Sequence, residues 1–444
     1  MCDHPAPPGD RFLTRLEPLF SVSTGEAREI IVHFHREMEA GLAGRESSLR
    51  MLPTFVRRPG GAEKGRFLVV DLGGTNLRVL AVELDGRGGA RTLAVSRCAI
   101  PRERMGGRGR DLFDFMAGCV EAFFAERDLG QQRTYDLAFT FSFPVEQRSP
   151  ASGRLIAWTK GFTASGVVGR DVVALFSEAL ARRGLGFVRI AALANDTVGT
   201  FAAGAYADPS CDMGVILGTG TNACYPEKVA RIGKCPAPGD PGEMVVNMEW
   251  GGFRRLKRNA YDEALDLASP NPGRQHLEKL VSGMYLGEIA RKVIAEMVGQ
   301  GLLFDPAALP AFSEAYGFST ERLSRIARGE ESFADFGLGA VSPEDRRTVR
   351  EIGRLIAARS ARIAGAAMAA VVTWMDPALA SPHTIAVDGT LFEKYPGYRE
   401  EILALFGDLF GERAGGITLD LVKDGSGVGA AVIAAVEAAA CPRA

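Results

Sequence analysis

With 444 residues, 46% of them hydrophobic, the chain has enough length for roughly two or three domains and enough apolar content for a sizeable core. A net charge of −2 and a pI near 6.3 give no bulk electrostatic reason to bind nucleic acid or an anionic membrane, so a small soluble ligand is the default. The seven cysteines (Cys2, Cys98, Cys119, Cys211, Cys224, Cys235, Cys441) form no Cys-x-x-Cys pair and none of the five histidines clusters with them, which reads as a reduced, metal-free cytoplasmic chain.

The N-terminal Met-Cys-Asp-His-Pro-Ala-Pro-Pro has no basic region followed by an apolar stretch, so secretion is not expected. His33 and His35 alternate within an expected helix and so fall on different faces, which argues against a shared metal. Strands are expected over 66–72, 77–84 and 91–99, then a helix over 111–127, a strand over 135–143, a helix over 171–183 and a strand over 188–194. A second block repeats this outline with strands over 213–217, 221–225 and 243–250, long helices over 276–298 and 343–375, and strands over 383–388 and 417–422. Two such units suggest two lobes with a cleft between them. The Ala-rich run Ile363 to Trp374 is only about twelve residues long, a buried helix rather than a membrane span. Pro and Gly cluster at 233–242 and 269–273 as surface loops, and the basic, Gly-rich 101–110 reads as a solvated, mobile segment away from any chemistry.

Chemistry is expected at the strand ends, where open α/β sheets place their ligands. Phe67 to Val70 is a continuous apolar strand that runs into Asp71-Leu-Gly-Gly-Thr-Asn, and Leu77 resumes the strand pattern at once. Gly73 and Gly74 let backbone N–H groups approach an anion, Thr75 and Asn76 add donors, and Asp71 offers an oxygen to hydrated Mg²⁺; an ordinary Gly-Gly hairpin explains the same residues. Gly218-Thr219-Gly220-Thr221-Asn222 ends its own strand in the same manner. Asn195-Asp196-Thr197 opens an apolar helix, either as its cap or as a site in which Asp196 takes a proton from a substrate hydroxyl that Asn195 helps to hold. Counted along one helix from Leu277 through Val281 and Met284, Glu288 faces inward and needs partners, which sugar hydroxyls or an Arg or Lys would supply. Glu249, in the strand that ends at Trp250, poses the same question. Asp388-Gly389-Thr390 and Asp424-Gly425-Ser426-Gly427 each end an apolar strand as turns.

Taken together, these segments make the chain resemble the hexokinase family of the eukaryotic type over nearly its whole length. The resemblance is carried by Met-Leu-Pro-Thr-Phe-Val (51–56), Asp-Leu-Gly-Gly-Thr-Asn-Leu-Arg (71–78), Phe-Ser-Phe-Pro-Val (141–145), Trp-Thr-Lys-Gly-Phe (158–162), Asn-Asp-Thr (195–197), Glu-Trp-Gly-Gly (249–252) and Ser-Gly-Met-Tyr-Leu-Gly-Glu (282–288). It implies an α/β, two-lobed, actin-like ATPase (ribonuclease H-like) fold with an active-site cleft between the lobes. The small lobe would span 66–195, with a C-terminal helix over 427–441 returning to it, and the large lobe 10–65 and 196–426. The implied activity is ATP-dependent phosphorylation of the 6-hydroxyl of a hexose, glucose before fructose or mannose, by a monomer or homodimer. A sugar sensor that binds ATP and turns it over little is the alternative. Carried over by position, Ser142, Thr159, Lys160, Asn195, Asp196, Asn222, Glu249 and Glu288 resemble the sugar contacts, with Asp196 as base and Lys160 neutralising the moving phosphoryl group. Asp71, Gly73, Gly74, Thr75, Asn76, Arg78 and Thr219 resemble the phosphate site, Gly389, Thr390, Gly425 and Ser426 lie toward the adenosine, and Asp71 and Asp196 would hold Mg²⁺ through water. Val428 stands where the family usually carries Lys or Arg, which removes one positive charge near the nucleotide.

Overall fold

The structure, a computed structural model, describes residues 8–74, 76–127, 134–159, 161–235, 242–330, 333, 336–338 and 341–440. In the first half, helices α1 (Pro8–Leu16) and α2 (Thr24–Leu42) and the two-residue strand β1 (Leu52–Pro53) precede β2 (Lys64–Leu72), β3 (Asn76–Asp85) and β4 (Ala90–Ala99). Then come α3 (Arg102–Gly106), α4 (Gly109–Glu126), β5 (Tyr135–Phe141), β6 (Val145–Ser149), β7 (Ser152–Leu155), α5 (Val172–Arg182) and β8 (Val188–Ala194). The second half runs α6 (Asp196–Ala207), β9 (Cys211–Leu217), β10 (Thr221–Lys228), β11 (Glu243–Asn247), α7 (Ala260–Ala268), α8 (His276–Val281), α9 (Gly283–Gly299), α10 (Thr320–Arg328) and α11 (Pro343–Met375). It closes with β12 (His383–Asp388), α12 (Thr390–Lys394), α13 (Tyr398–Phe410), β13 (Ile417–Leu421) and α14 (Gly425–Ala440).

Two main sheets result, one ordered β4-β3-β2-β5-β8 and the other β1-β11-β10-β9-β12-β13. In each, three parallel strands (β2, β5, β8 and β9, β12, β13) stand beside an antiparallel meander. The alternation of β2 explains its unbroken apolar run: Leu68, Val70 and Leu72 enter a core built with α4 and α5, while Phe67 and Val69 enter a second core shared with α6 and α14. A strand covered on both faces has no polar side to show. The third and largest core gathers α2, α8, α9, α11, α13 and the second sheet.

α11 starts where its sequence says it should. Ser342 Oγ accepts from Asp345 N at 3.0 Å, Pro343 occupies the first turn and Glu344 and Asp345 meet the positive end of the dipole. Its apolar half passes for a membrane span by length and composition, yet 89% of that window is buried inside the protein. α14 approaches α6 closely: a Cβ on Gly429 would lie 1.7 Å from Gly199 O, so only glycine fits. The C-terminal helix thereby packs on β2, β5 and β8 of the first sheet as well as on α6.

Three expectations need correction. The expected helix over 276–298 is two helices, α8 and α9, broken at Ser282, whose φ of −82° and ψ of 154° are extended. The strand expected to reach 250 ends at Asn247. The 101–110 segment is not featureless. It contains α3, buries Met105, and pairs with residues 163–165 through Thr163 N to Met105 O (2.9 Å), Ser165 N to Gly107 O (2.9 Å) and Gly109 N to Ser165 O (2.8 Å). His33 and His35 both lie in α2, and His35 Nε2 is 2.7 Å from Ala370 O. The five described cysteines, Cys98, Cys119, Cys211, Cys224 and Cys235, are free thiols.

Residues leading into the first sheet are anchored to the second by a charged cluster. Arg58 donates to Asp212 Oδ1 at 2.5 Å and to Cys211 O at 2.7 Å, and Asp212 Oδ2 lies 2.7 Å from Nδ1 of the buried His383. Asp376 Oδ2 is 3.4 Å from its Nε2. The hydrogen bond with Asp212 raises the imidazole pKa above its ordinary 6.5 against the opposing effect of burial, and Asp376 adds to the rise. A raised histidine pKa contributes stability that is present in full below the unfolded value and is lost as pH rises through the folded value. His383→Gln is therefore expected to lower the melting temperature more at pH 6 than at pH 9; an equal loss at both would contradict the assignment.

Candidate active site

The C-terminal ends of the parallel strands of both sheets converge, and the first group of side chains to meet there is acidic. Asp71, at the end of β2, is buried and accepts on Oδ2 from Arg78 Nε (3.0 Å) and Nη2 (2.5 Å) and from Ser426 Oγ (3.3 Å). Arg78, opposite it on β3, also donates from Nη1 to Asp424 Oδ1 at 2.6 Å and from Nη2 to Ser426 Oγ at 3.0 Å. This guanidinium therefore ties the β2–β3 turn to the start of α14. Asp388 ends β12, and its Oδ2 accepts from Gly425 N at 3.1 Å. Burial pushes the Asp71 carboxyl above the usual range against the pull of Arg78, with Asp196 and Asp424 adding to the rise. Burial likewise raises Asp388 to about 6, helped by the charges of Asp424 and Asp196. Four carboxylates thus feel one another here.

The two Gly/Thr turns are hairpin turns in geometry. Gly73 N donates to Asn76 O (3.3 Å) and Gly218 N to Gly220 O (3.1 Å), with antiparallel strands on either side. The first is open at Gly74, where a Cβ would meet nothing within 4 Å, whereas in the second a Cβ on Gly220 would lie 3.0 Å from Glu278 Oε2. The carbonyls of Gly218 and Thr219 accept from Gly283 N (2.8 Å) and Met284 N (3.1 Å), which seats the start of α9 under the second turn. Gly389, at φ 132°, runs so close to this turn that a Cβ would lie 2.2 Å from Leu217 O, and Thr390 follows it as the first residue of α12. Gly425 and Ser426 open α14.

Asn195 caps α6, its Oδ1 accepting from Thr197 N at 2.9 Å. Asp196 is the first helical residue, half-buried, with Oδ1 2.9 Å from the same amide. The capping reading therefore holds, for Asn195. Beside them Ser142 follows β5, its N donating to Leu72 O at 3.4 Å, and Thr159 O accepts from Phe162 N at 3.1 Å in the turn beyond. A small cleft runs from Leu52 and Thr54 of the second sheet's edge to Phe141, Phe143 and Gln147, with Asn195 and Asn247 on its wall. Lys160 and Thr75 lie outside the described residues.

From the second sheet, Asn222 Nδ2 donates to Asn247 Oδ1 (2.8 Å) and to Glu249 Oε1 (3.4 Å), and Asn247 Nδ2 donates to the same Glu249 oxygen (3.0 Å). Glu249 sits in the left-handed region at φ 51°, ψ 51°, and Asp424 has φ 56°. Non-glycine residues persist there only where their surroundings over-determine them, which is common at sites. Glu278 of α8 completes this wall: its Oε2 accepts from Thr221 N at 3.2 Å, and a Cβ on Gly251 would lie 3.2 Å from its own Cβ.

Glu288 is elsewhere. It is 3% exposed and holds Arg291 in a two-bond pair, Nε to Oε2 at 2.7 Å and Nη2 to Oε1 at 2.6 Å, while Tyr316 N donates to Oε2 at 2.7 Å. The Arg partner that the sequence left open is what this carboxylate has. The count that aimed it at a ligand ran through the break at Ser282 and through Met284, which is 44% exposed. Glu278, Asn247, Asp388 and Asp424 were not among the expected contacts. For Glu278 the nearest signal was a helix end at Ser282-Gly283, which separates Leu277, Leu280 and Val281 from the Glu288 helix.

Among the described residues no three His, Cys, Asp or Glu side chains are arranged to hold a bare metal ion. An excess of carboxylates around one guanidinium, beside the open turn at Gly74, instead fits a cation that keeps its water and is shared with phosphate oxygens. The neighbouring wall of amides and carboxylates fits a ligand rich in hydroxyl groups. Fold and site thus define a two-lobed sugar kinase of the actin-like ATPase class. Sequence models described as Hexokinase match residues 13–206 and 212–436. Hexokinase-1 of Schizosaccharomyces pombe is 36% identical over 96% of this chain and 90% of its own length, and Hexokinase-2 of Oryza sativa subsp. japonica 40% over 96% and 91%. The solved hexokinase of Schistosoma mansoni complexed with glucose superposes with a TM-score of 0.86 at 34% identity, covering 96% of this chain and 99% of that one. The chain belongs to the hexokinase family.

Proposed function

We propose that the chain transfers the γ-phosphoryl group of ATP to the 6-hydroxyl of a hexose, with glucose the first substrate, giving hexose 6-phosphate and ADP at the entry to glycolysis. The observation that carries this reading is that Asn195 and Asn247, the partner of Asn222 and Glu249, line one cleft, while the charge of Asp196, next to Asn195, reaches the acidic group of Asp71 and Asp388. Asp196 accepts the proton as the sugar oxygen forms its bond to phosphorus and the bond to the leaving ADP oxygen breaks. Ser142, Thr159, Asn195, Asn222, Glu249 and Glu278 hold the sugar hydroxyls, with Asn247 fixing the Asn222 and Glu249 side chains. Glu288 is replaced in this set by Glu278. Lys160 neutralises the phosphoryl charge.

The backbone around Gly73, Gly74, Thr75, Asn76 and Thr219 receives the phosphates, and Gly389, Thr390, Gly425 and Ser426 lie toward the adenosine. Arg78 fixes Asp71 and Asp424 rather than meeting phosphate first. Mg²⁺, held by Asp71 and Asp196 through water, supplies charge stabilisation to the phosphates when bound. The small lobe comprises 66–195 and the C-terminal helix, the large lobe 10–65 and 196–426, and closure of the two would exclude water as a nucleophile. The enzyme acts in the cytoplasm as a monomer or homodimer.

A coupled assay with ATP across glucose, fructose and mannose, with Mg²⁺ or with a chelator, tests the reading. Turnover is expected with hexose and Mg²⁺, with sugar-free ATP hydrolysis far below it. Sugar and ATP binding without turnover would favour a sensor instead.

A further inference from the structure

We propose that Met105 and the Gly107–Gly109 turn are a positioning element for Gly161–Thr163, next to the proposed sugar contact Thr159, an inference that rests on the hexose-kinase reading. The segment is gripped on one side by rings: Trp158 stacks on Phe162 with centroids 5.3 Å apart, and Phe143 meets both edge-on at 4.9 and 5.1 Å. Trp158 Nε1 also donates to Ala164 O at 2.8 Å. Rings alone fix one face of a turn and leave its height above the cleft free.

The second grip comes from the chain between β4 and α4. The three backbone bonds from Met105, Gly107 and Gly109 to Thr163 and Ser165 form a short parallel ribbon, and Ser165 Oγ adds a bond to Gly107 O at 3.3 Å. Met105, 8% exposed, extends its side chain toward the turn itself, its Cε lying 3.9 Å from where a Cβ on Gly161 would stand. Gly109 is the tightest point, since a Cβ there would come 2.2 Å from Val167 Cγ2 and 2.9 Å from Ser165 O. An added methyl must therefore push the segment 163–167 away. Because Thr159 is assigned to the sugar hydroxyls and nothing in this segment to the adenosine, displacement of this grip acts on hexose binding before ATP binding.

Met105→Ala and Gly109→Ala are each expected to raise the hexose KM about tenfold, with kcat falling less, because displacements near 1 Å in a positioning element cost up to about 10²-fold. The ATP KM should stay within about twofold, and Met105→Leu should restore the hexose KM by refilling the gap under Gly161. A merely structural role would lower the melting temperature and leave the ratio of the two KM values unchanged. That outcome, or wild-type hexose KM in both variants, overturns the proposal; should either alanine variant fail to fold, Met105→Val, which trims the side chain less, gives the same ratio to read. An inactive wild-type chain would refute the kinase reading itself, a result distinct from active variants with unaltered KM.

Discussion

Replacing Asp196 by alanine is expected to lower kcat by about 10² to 10⁴, the range of a positioned general base, with hexose affinity changing much less. The fold should survive, because the N-cap of α6 is Asn195, whose side-chain bond to Thr197 N at 2.9 Å stays in place. Loss of the Asp196 charge also relieves its push on Asp71 and Asp388, so both carboxyls should titrate lower in the variant. Single-turnover kinetics would separate chemistry from binding. Near-wild-type kcat would remove Asp196 from the reaction, and a comparable loss of sugar affinity would make it a binding residue.

The second large effect separates two glutamates ten residues apart in the sequence. Glu288→Ala leaves Arg291 buried without its carboxylate, and breaking a buried pair by removing one partner costs about 3 to 5 kcal/mol. A marked drop in melting temperature is expected, with the hexose KM of whatever remains folded near wild type. Glu278→Ala removes a side chain that is only partly buried and serves Thr221 N. It should raise the hexose KM while the melting temperature moves little. Calorimetry and steady-state kinetics on the two variants decide the matter. A Glu288 variant that is stable but weak in sugar binding would reverse the assignment.

The contrast between these glutamates shows how far the sequence could be read. Strands buried on both faces announce themselves through unbroken apolar runs, and β2, β9 and β12 lie close to where those runs are. α11 was legible to the residue because its cap, proline and acidic first turn all agree. The strand-end positions of Asp71 and Asn195 were legible for the same reason, since the end of an apolar run is easy to locate.

What the sequence hid were contacts that depend on a partner from elsewhere in the chain. Helical periodicity gives a direction only while the helix continues, and at Ser282 it stops, so Glu288 was credited with a face that belongs to Glu278. The 101–110 segment is rich in Gly and Arg and reads as solvent, but its backbone bonds to 163–165 come from a loop nearly sixty residues away. Arg78 has the look of a phosphate ligand until Asp71 and Asp424 are seen on either side of it.

The central claim, that phosphate moves from ATP to the 6-hydroxyl of a hexose held beside Asp196, is tested most directly by identifying the product. Incubation with glucose and MgATP, followed by phosphorus NMR and mass spectrometry, should give hexose 6-phosphate and ADP in equal amounts, with no phosphorylated product from 6-deoxyglucose. Phosphate on another hydroxyl, or ADP formed without phosphorylated sugar, would contradict the account.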